Sequence, residues 1–111
     1  MTGPARGPLD TSDIAVQRAW RTDASRRAIE VALGAEGLTT HTWGNGPDVS
    51  YGPHTHPHDK VLCCVSGSIV FHAVSGDVAL VPGDRMELPA GIEHSATVGS
   101  DGVECVEAYR T

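Results

Sequence analysis

Three histidines stand at alternate positions in the stretch Pro53-His54-Thr55-His56-Pro57-His58-Asp59-Lys60, which closes on the only lysine of the 111-residue chain. Neutral imidazole is a common ligand for zinc, iron and nickel. In an extended chain, residues i and i+2 project to the same face, so His54 and His56 can aim two ring nitrogens at one point. Two imidazoles leave a divalent ion undercoordinated, and a third ligand has to come from elsewhere in the fold. One candidate is His94, which opens a strand-like run after the turn-forming Pro89-Ala90-Gly91. The other is a side chain a few residues beyond His56. His58 is the rival there, nominally on the same face, but Pro57 and the His58-Asp59-Lys60 turn interrupt strand geometry. A solvent-exposed loop histidine is the ordinary alternative for it. His41 and His72 have no ligand spacing and read as strand-face residues.

The elements that must position these side chains are mostly short strands. Residues 1–12 carry no periodicity and read as a loose tail, followed by one domain over residues 13–111. The stretch 13–20 alternates apolar side chains as a strand would. Residues 23–36 form the one convincing helix, with Ala28, Ile29, Ala32 and Leu33 as its apolar stripe. Thr22 or Asp23 suits its N-cap, and Gly34 or Gly37 its left-handed stop. Beyond Gly37 the helical period disappears. LTTHTW, KVLCCV, SIVFHAV, DVALV, RMEL, HSATV and VECVEAYR are each four to eight residues long, separated by GNGPD, SG, SGD, PGD, PAG and GSDG. Such spacing predicts an all-β sandwich or barrel with the helix packed outside.

Composition removes several classes of function. With 8 basic and 14 acidic residues the formal charge is -6, and the arginines are scattered, which argues against nucleic acid or an anionic membrane as partner. No apolar stretch approaches the ~20 residues that cross a bilayer, and the Gly/Pro-rich start does not read as a secretory signal. Three cysteines, two of them adjacent at 63 and 64, argue against a disulfide framework and for a reducing cytoplasm. Cys64 lies on the same strand side as Lys60 and Leu62 and reads as a small buried core residue. Open sheet edges and an N-terminal strand favour a homodimer.

The two histidine-bearing segments resemble the paired motifs of the cupins. Their first motif has a glycine, five residues, His-x-His, three or four residues, a glutamate, six residues and a glycine. Here His54-Thr55-His56 is followed after three residues by Lys60 and after six more by Gly67. The second motif matches from Gly83 through Pro89-Ala90-Gly91 to His94, and fifteen residues separate Gly67 from Gly83. The resemblance spans residues 48–67 and 83–98. It implies a cupin-type jelly-roll barrel (a double-stranded β-helix) with one N-terminal α-helix, and one divalent ion (iron, zinc, manganese or nickel) on His54, His56 and His94. Asp48 and Val98 replace a glycine and an asparagine of the motifs, with little structural consequence. Lys60 stands where the family carries its carboxylate ligand, and that departure bears on function.

A protonated lysine has three donors and no lone pair, so it cannot replace that carboxylate. A unit cation ~4 Å from a divalent ion costs roughly 8 kcal/mol at an effective dielectric near 20. Lys60 therefore lies neutral in the pocket or turns its ammonium away, and a strand-edge lysine reaching solvent or Asp59 is the favoured expectation. Inside the pocket it becomes the candidate catalytic residue, as a base or as a seat for a substrate carboxylate. On the last strand, Glu107 and Tyr109 share the face of Cys105 and are candidates to meet a substrate or a dimer partner. Glu87 and Glu93 read as surface carboxylates. Three-histidine cupins that carry no carboxylate ligand include thiol and diketone dioxygenases, so the resemblance implies a dioxygenase or isomerase acting on a small, partly apolar metabolite. A non-catalytic sensing cupin and a degenerate metal-free barrel are the alternatives.

Overall fold

The computed structural model describes residues 14–110, so the tail expected over residues 1–12 lies outside the described residues. The chain runs β1 (Ala15–Gln17), α1 (Arg26–Gly34), β2 (Thr40–Asn45), β3 (Ser50–His54), β4 (Asp59–Ala73), β5 (Gly76–Leu80), β6 (Arg85–Leu88) and β7 (His94–Arg110). All strand pairs are antiparallel and belong to one sheet whose main path is β1-β6-β4-β7-β2, with β3 on β7 and β5 on β4.

Two long strands organise the barrel. β4 has 15 residues and β7 has 17, about three times the usual strand length, and they pair with each other from Asp59↔Arg110 to His72↔Ser95. Each changes its second neighbour part-way. β4 meets β6 over Lys60–Cys63 and β5 over Ile69–Ala73. β7 meets β3 near His94–Thr97 and β2 over Val103–Ala108. The Ser66-Gly67 and Gly99–Gly102 segments, expected as turns that end strands, are instead register shifts and bends within continuous ones. Gly67 sits at φ +72, and a Cβ on it would lie 1.9 Å from the Gly102 carbonyl oxygen. Only glycine permits β4 and β7 to cross so closely there.

Side-chain alternation along these strands sorts the apolar residues into two clusters. The inner one contains Leu62, Cys64, Ile69, Phe71, Leu80, Met86, Leu88, Ala96, Val98 and Cys105. The outer one joins Val61, Cys63 and Val106 to Ile29 and Leu33 of α1. Full burial of each such aliphatic side chain contributes about 1.5–3 kcal/mol, which holds the helix on the barrel. Its packing face is the expected one, but its start is not. Ser25 is the N-cap, its Oγ accepting the Ala28 N–H at 3.2 Å. Asp23 spends its carboxylate on the Ser25 N–H at 3.0 Å, so residues 23–25 form a turn before the helix. At the far end Gly37 adopts φ +81 while the Leu38 N–H returns to the Leu33 carbonyl, as a left-handed stop requires. The strand expected over residues 13–20 is reduced to Ala15–Gln17, and residues 18 and 19 turn away.

β3 was not among the expected strands, because Gly52 and Pro53 interrupt its alternation. It pairs with β7 alone, and an edge position tolerates a proline.

Candidate metal centre

β3 and β7 bring the distant histidines together. His54 lies directly opposite His94 in the antiparallel register, after a shift between Tyr51 and His54. His56 follows the end of β3 in a loop rather than continuing the strand. That loop is tied to the second motif, since the Gly91 N–H donates to the His56 carbonyl at 2.9 Å and the Ala90 N–H to the Asp59 carboxylate at 2.7 Å. The ring centroids stand 4.4 Å apart for His54–His94, 4.7 Å for His54–His56 and 5.1 Å for His56–His94. One ring nitrogen from each lies within 4.8 Å of the other two.

Hydrogen bonds settle which nitrogens face inward. His54 Nδ1 is 2.7 Å from the Gly52 carbonyl and His94 Nδ1 is 2.9 Å from the Ile92 carbonyl. A carbonyl oxygen only accepts, so both Nδ1 atoms carry the proton and both Nε2 atoms keep a lone pair. Burial pushes the His56 pKa down to about 4, helped by the Lys60 ammonium and the two neighbouring rings. Burial likewise lowers that of His94, against the bond to Ile92. The rings of His56 and His94 are thus neutral at pH 7, and the three histidines together offer the donor set of a zinc or iron site.

Lys60 does not turn to solvent, nor does it pair with Asp59. It is 8% exposed, and its Nζ lies 3.5 Å from His56 Nε2 and 3.4 Å from Glu107 Oε2. The expectation of a strand-edge lysine fails because Asp59 is committed to the Ala90 N–H, while Glu107 offers a carboxylate across the barrel. Glu107, 7% exposed, also accepts the Trp43 indole N–H at 2.8 Å. The Glu107 carboxylate raises the pKa of the neighbouring Tyr109 phenol. The Tyr109 ring covers the Lys60 ammonium at 5.3 Å and is itself 40% exposed. Glu107 was one of two candidates on the last strand, and period-2 alternation was the only signal for it.

These groups open on a cavity of about 230 Å³. Its polar lining is His54, His56, His94, Lys60 and Glu107, and the rest of the wall, from Trp43 to Ala96, is largely apolar. His58 is exposed outside this ring cluster, 5.7 Å from Tyr109. His72 is engaged on the far part of β4 by Asp77 and Thr97, and His41 packs edge-on against Tyr109. Cys64 belongs to the inner core, and Glu87 pairs with Arg85 and Arg110 at the surface.

No protein-family model matches the sequence, and no curated protein matches it either. Solved structures do. An RmlC-like cupin from Shewanella frigidimarina is 19% identical, with a TM-score of 0.57 over 65% of this chain and 64% of that one. The fold is that of the cupins. The DMSP lyase DddQ from Ruegeria pomeroyi superposes on this chain with a TM-score of 0.61 at 20% identity, over 67% of this chain and 38% of that one. A chain from the structures of the DMSP lyases RdDddP and RnDddQII is 31% identical, with a TM-score of 0.56 over 67% and 37%. The cupin barrel described here therefore aligns with under two fifths of each DMSP lyase chain. Among the described residues no helix is long and apolar enough to cross a membrane.

Proposed function

We propose that this cupin holds one divalent ion (iron, zinc, manganese or nickel) on His54, His56 and His94, and acts on a small, partly apolar metabolite in the adjoining cavity. The observation that carries the reading is the convergence of one ring nitrogen from each of the three histidines, with the Nδ1 atoms of His54 and His94 bonded to carbonyls and their Nε2 lone pairs left free. Nitrogens that each stand ~2.1 Å from a tetrahedral ion are about 3.4 Å apart, so loading the site draws the rings somewhat closer. The ion would supply Lewis acidity at a position left open to solvent or ligand. The chain itself supplies a proton-handling pair. Lys60 lines the cavity beside His56, and Glu107, anchored by Trp43, holds the ammonium from the other side. Lys60 is thereby the catalytic candidate, and the pair favours isomerase- or lyase-type proton transfer over the dioxygenase alternative. The likeness to DMSP lyase chains is consistent with lyase chemistry on a small molecule.

One observation favours a non-catalytic barrel instead. Lys60 points an N–H at the His56 lone pair that an ion needs, so metal and ammonium compete for that nitrogen. A cytoplasmic homodimer completes the proposal, supported by three free buried thiols and by β1 and β2 at the ends of the sheet path.

Metal analysis of the protein purified without added metals, beside the His94→Ala variant, tests the reading. Near-stoichiometric metal in the parent and its loss from the variant are expected. Equal, low metal content in both would overturn it.

A further inference from the structure

We infer that the ligand of this pocket is a short carboxylic acid with an apolar tail, its carboxylate seated between the metal position and the Lys60 ammonium. The inference rests on the three-histidine metal reading and adds to it the chemical class of the ligand. Charge inside the barrel is the argument. An imidazole that ligates an ion does so in its neutral form, and the Lys60–Glu107 ion pair carries no net charge. A divalent ion then adds two positive charges with no carboxylate on the ion to offset them. Glu107 is not free to supply one, because one of its oxygens accepts the Trp43 indole N–H and the other pairs with Lys60. An uncompensated charge in an apolar cavity is costly, and an anion is the group that removes the cost.

Lys60 locates that anion. Its ammonium has three N–H donors and two polar partners, Glu107 Oε2 at 3.4 Å and His56 Nε2 at 3.5 Å. When His56 Nε2 is given to an ion, one donor loses its acceptor at the cavity wall, beside the metal position. A carboxylate is long enough to present one oxygen to each cation. The remaining wall, with Leu62, Ile69, Phe71, Leu88 and Ala96, offers no charged partner for a second ionised group. A volume of about 230 Å³ corresponds to about eight water molecules at ~30 Å³ each, room for a tail of a few carbons within the barrel.

Calorimetric titration of zinc tests this, alone and with saturating butyrate or its neutral isostere butyramide, in the parent, Lys60→Met and His94→Ala proteins. Butyrate is expected to tighten zinc binding at least tenfold in the parent, and butyramide less than twofold. Lys60→Met is expected to bind zinc as tightly as the parent or more so, because the competing ammonium is gone, and to keep less than a threefold butyrate effect. His94→Ala is expected to lose the tight zinc site. Zinc binding in the parent with no butyrate effect, or with an equal effect in Lys60→Met, overturns the carboxylate inference and leaves the metal reading standing. Failure of zinc to bind the parent overturns both.

Discussion

The same two strands build two unlike surfaces. On the outside of β4 and β7, Val61, Cys63 and Val106 meet Ile29 and Leu33 with no exposure at all. Polar groups are kept at the margin of this packing, where Arg85 holds Glu36 through two nitrogens at 2.6 and 2.9 Å and stacks on Trp20. On the inside, one residue along, Lys60 and Glu107 lie buried among apolar side chains, with contacts of 3.4 and 3.5 Å. The outer face has the composition of a structure-bearing core. The inner face retains charges that a purely structural barrel has no need of, since replacing a buried ion pair by apolar residues is often neutral or stabilising. That difference is the reason the cavity, and not the helix interface, is proposed as the functional site.

The largest effect should separate the two faces outright. Leu33→Ala removes a fully buried side chain under the helix and is expected to cost about 2–5 kcal/mol. Zinc affinity measured below the melting transition should stay within about threefold of the parent, because the cluster around Leu33 contains none of the three histidines. A large loss of affinity would show that the faces are not separable.

A comparison of carboxylates comes next. Glu107→Gln strands a buried ammonium, and urea unfolding should report a loss of about 3 kcal/mol. Glu36→Gln weakens a pair whose acidic member is 37% exposed, so the loss should be about 1 kcal/mol or less. Equal losses would place Lys60 in contact with water.

Acid should undo the faces in order. The His56 pKa falls from 6.5 to about 4 on folding, so between those values the unfolded chain binds more protons than the folded one. Stability from this group is complete above pH 6.5 and is lost as pH falls towards about 4. Glu36, lowered from 4.5 mainly by its hydrogen bonds with Arg85, contributes above 4.5 and fades only below it. Stability-against-pH curves of His56→Gln should therefore be flatter than the parent's between pH 6.5 and about 4 and run parallel to them below that range.

The smallest effect concerns the thiols. Burial pushes the Cys63 pKa up to about 12, and the neighbouring Cys64 thiol together with burial raises that of Cys105. The native protein should show almost no thiol reacting with an aromatic disulfide reagent, and three after denaturation. Fast reaction of one thiol would reveal an opening of one face.

Much of this was legible in the sequence, and the misses share a cause. His54, His56 and His94 could be read from motif spacing because that spacing is fixed by one sheet register, His54 against His94. The helix face followed from period 3.6, and RMEL from its flanking turns. Strand ends around Ser66-Gly67 and Gly99–Gly102 were misread because a glycine that bends a continuous strand has the same local signature as one that ends it. The helix start was misplaced because Thr22, Asp23 and Ser25 are all acceptable caps, and the choice is made by a hydrogen bond between two of them. The direction of Lys60 was misread for want of a partner, and that partner, Glu107, is 47 positions away in the chain. Local residues set where a side chain starts, whereas distant ones decide where it ends.

Because β4 and β7 carry the outer packing and the cavity wall on alternate residues, a compound in the barrel rests on the same strands that hold the helix. A compound present at a hundred times its dissociation constant stabilises the folded form by about 2.7 kcal/mol. Heating the protein against a collection of small acids, with a dye reporting unfolding, would therefore rank candidate occupants before any reaction is known.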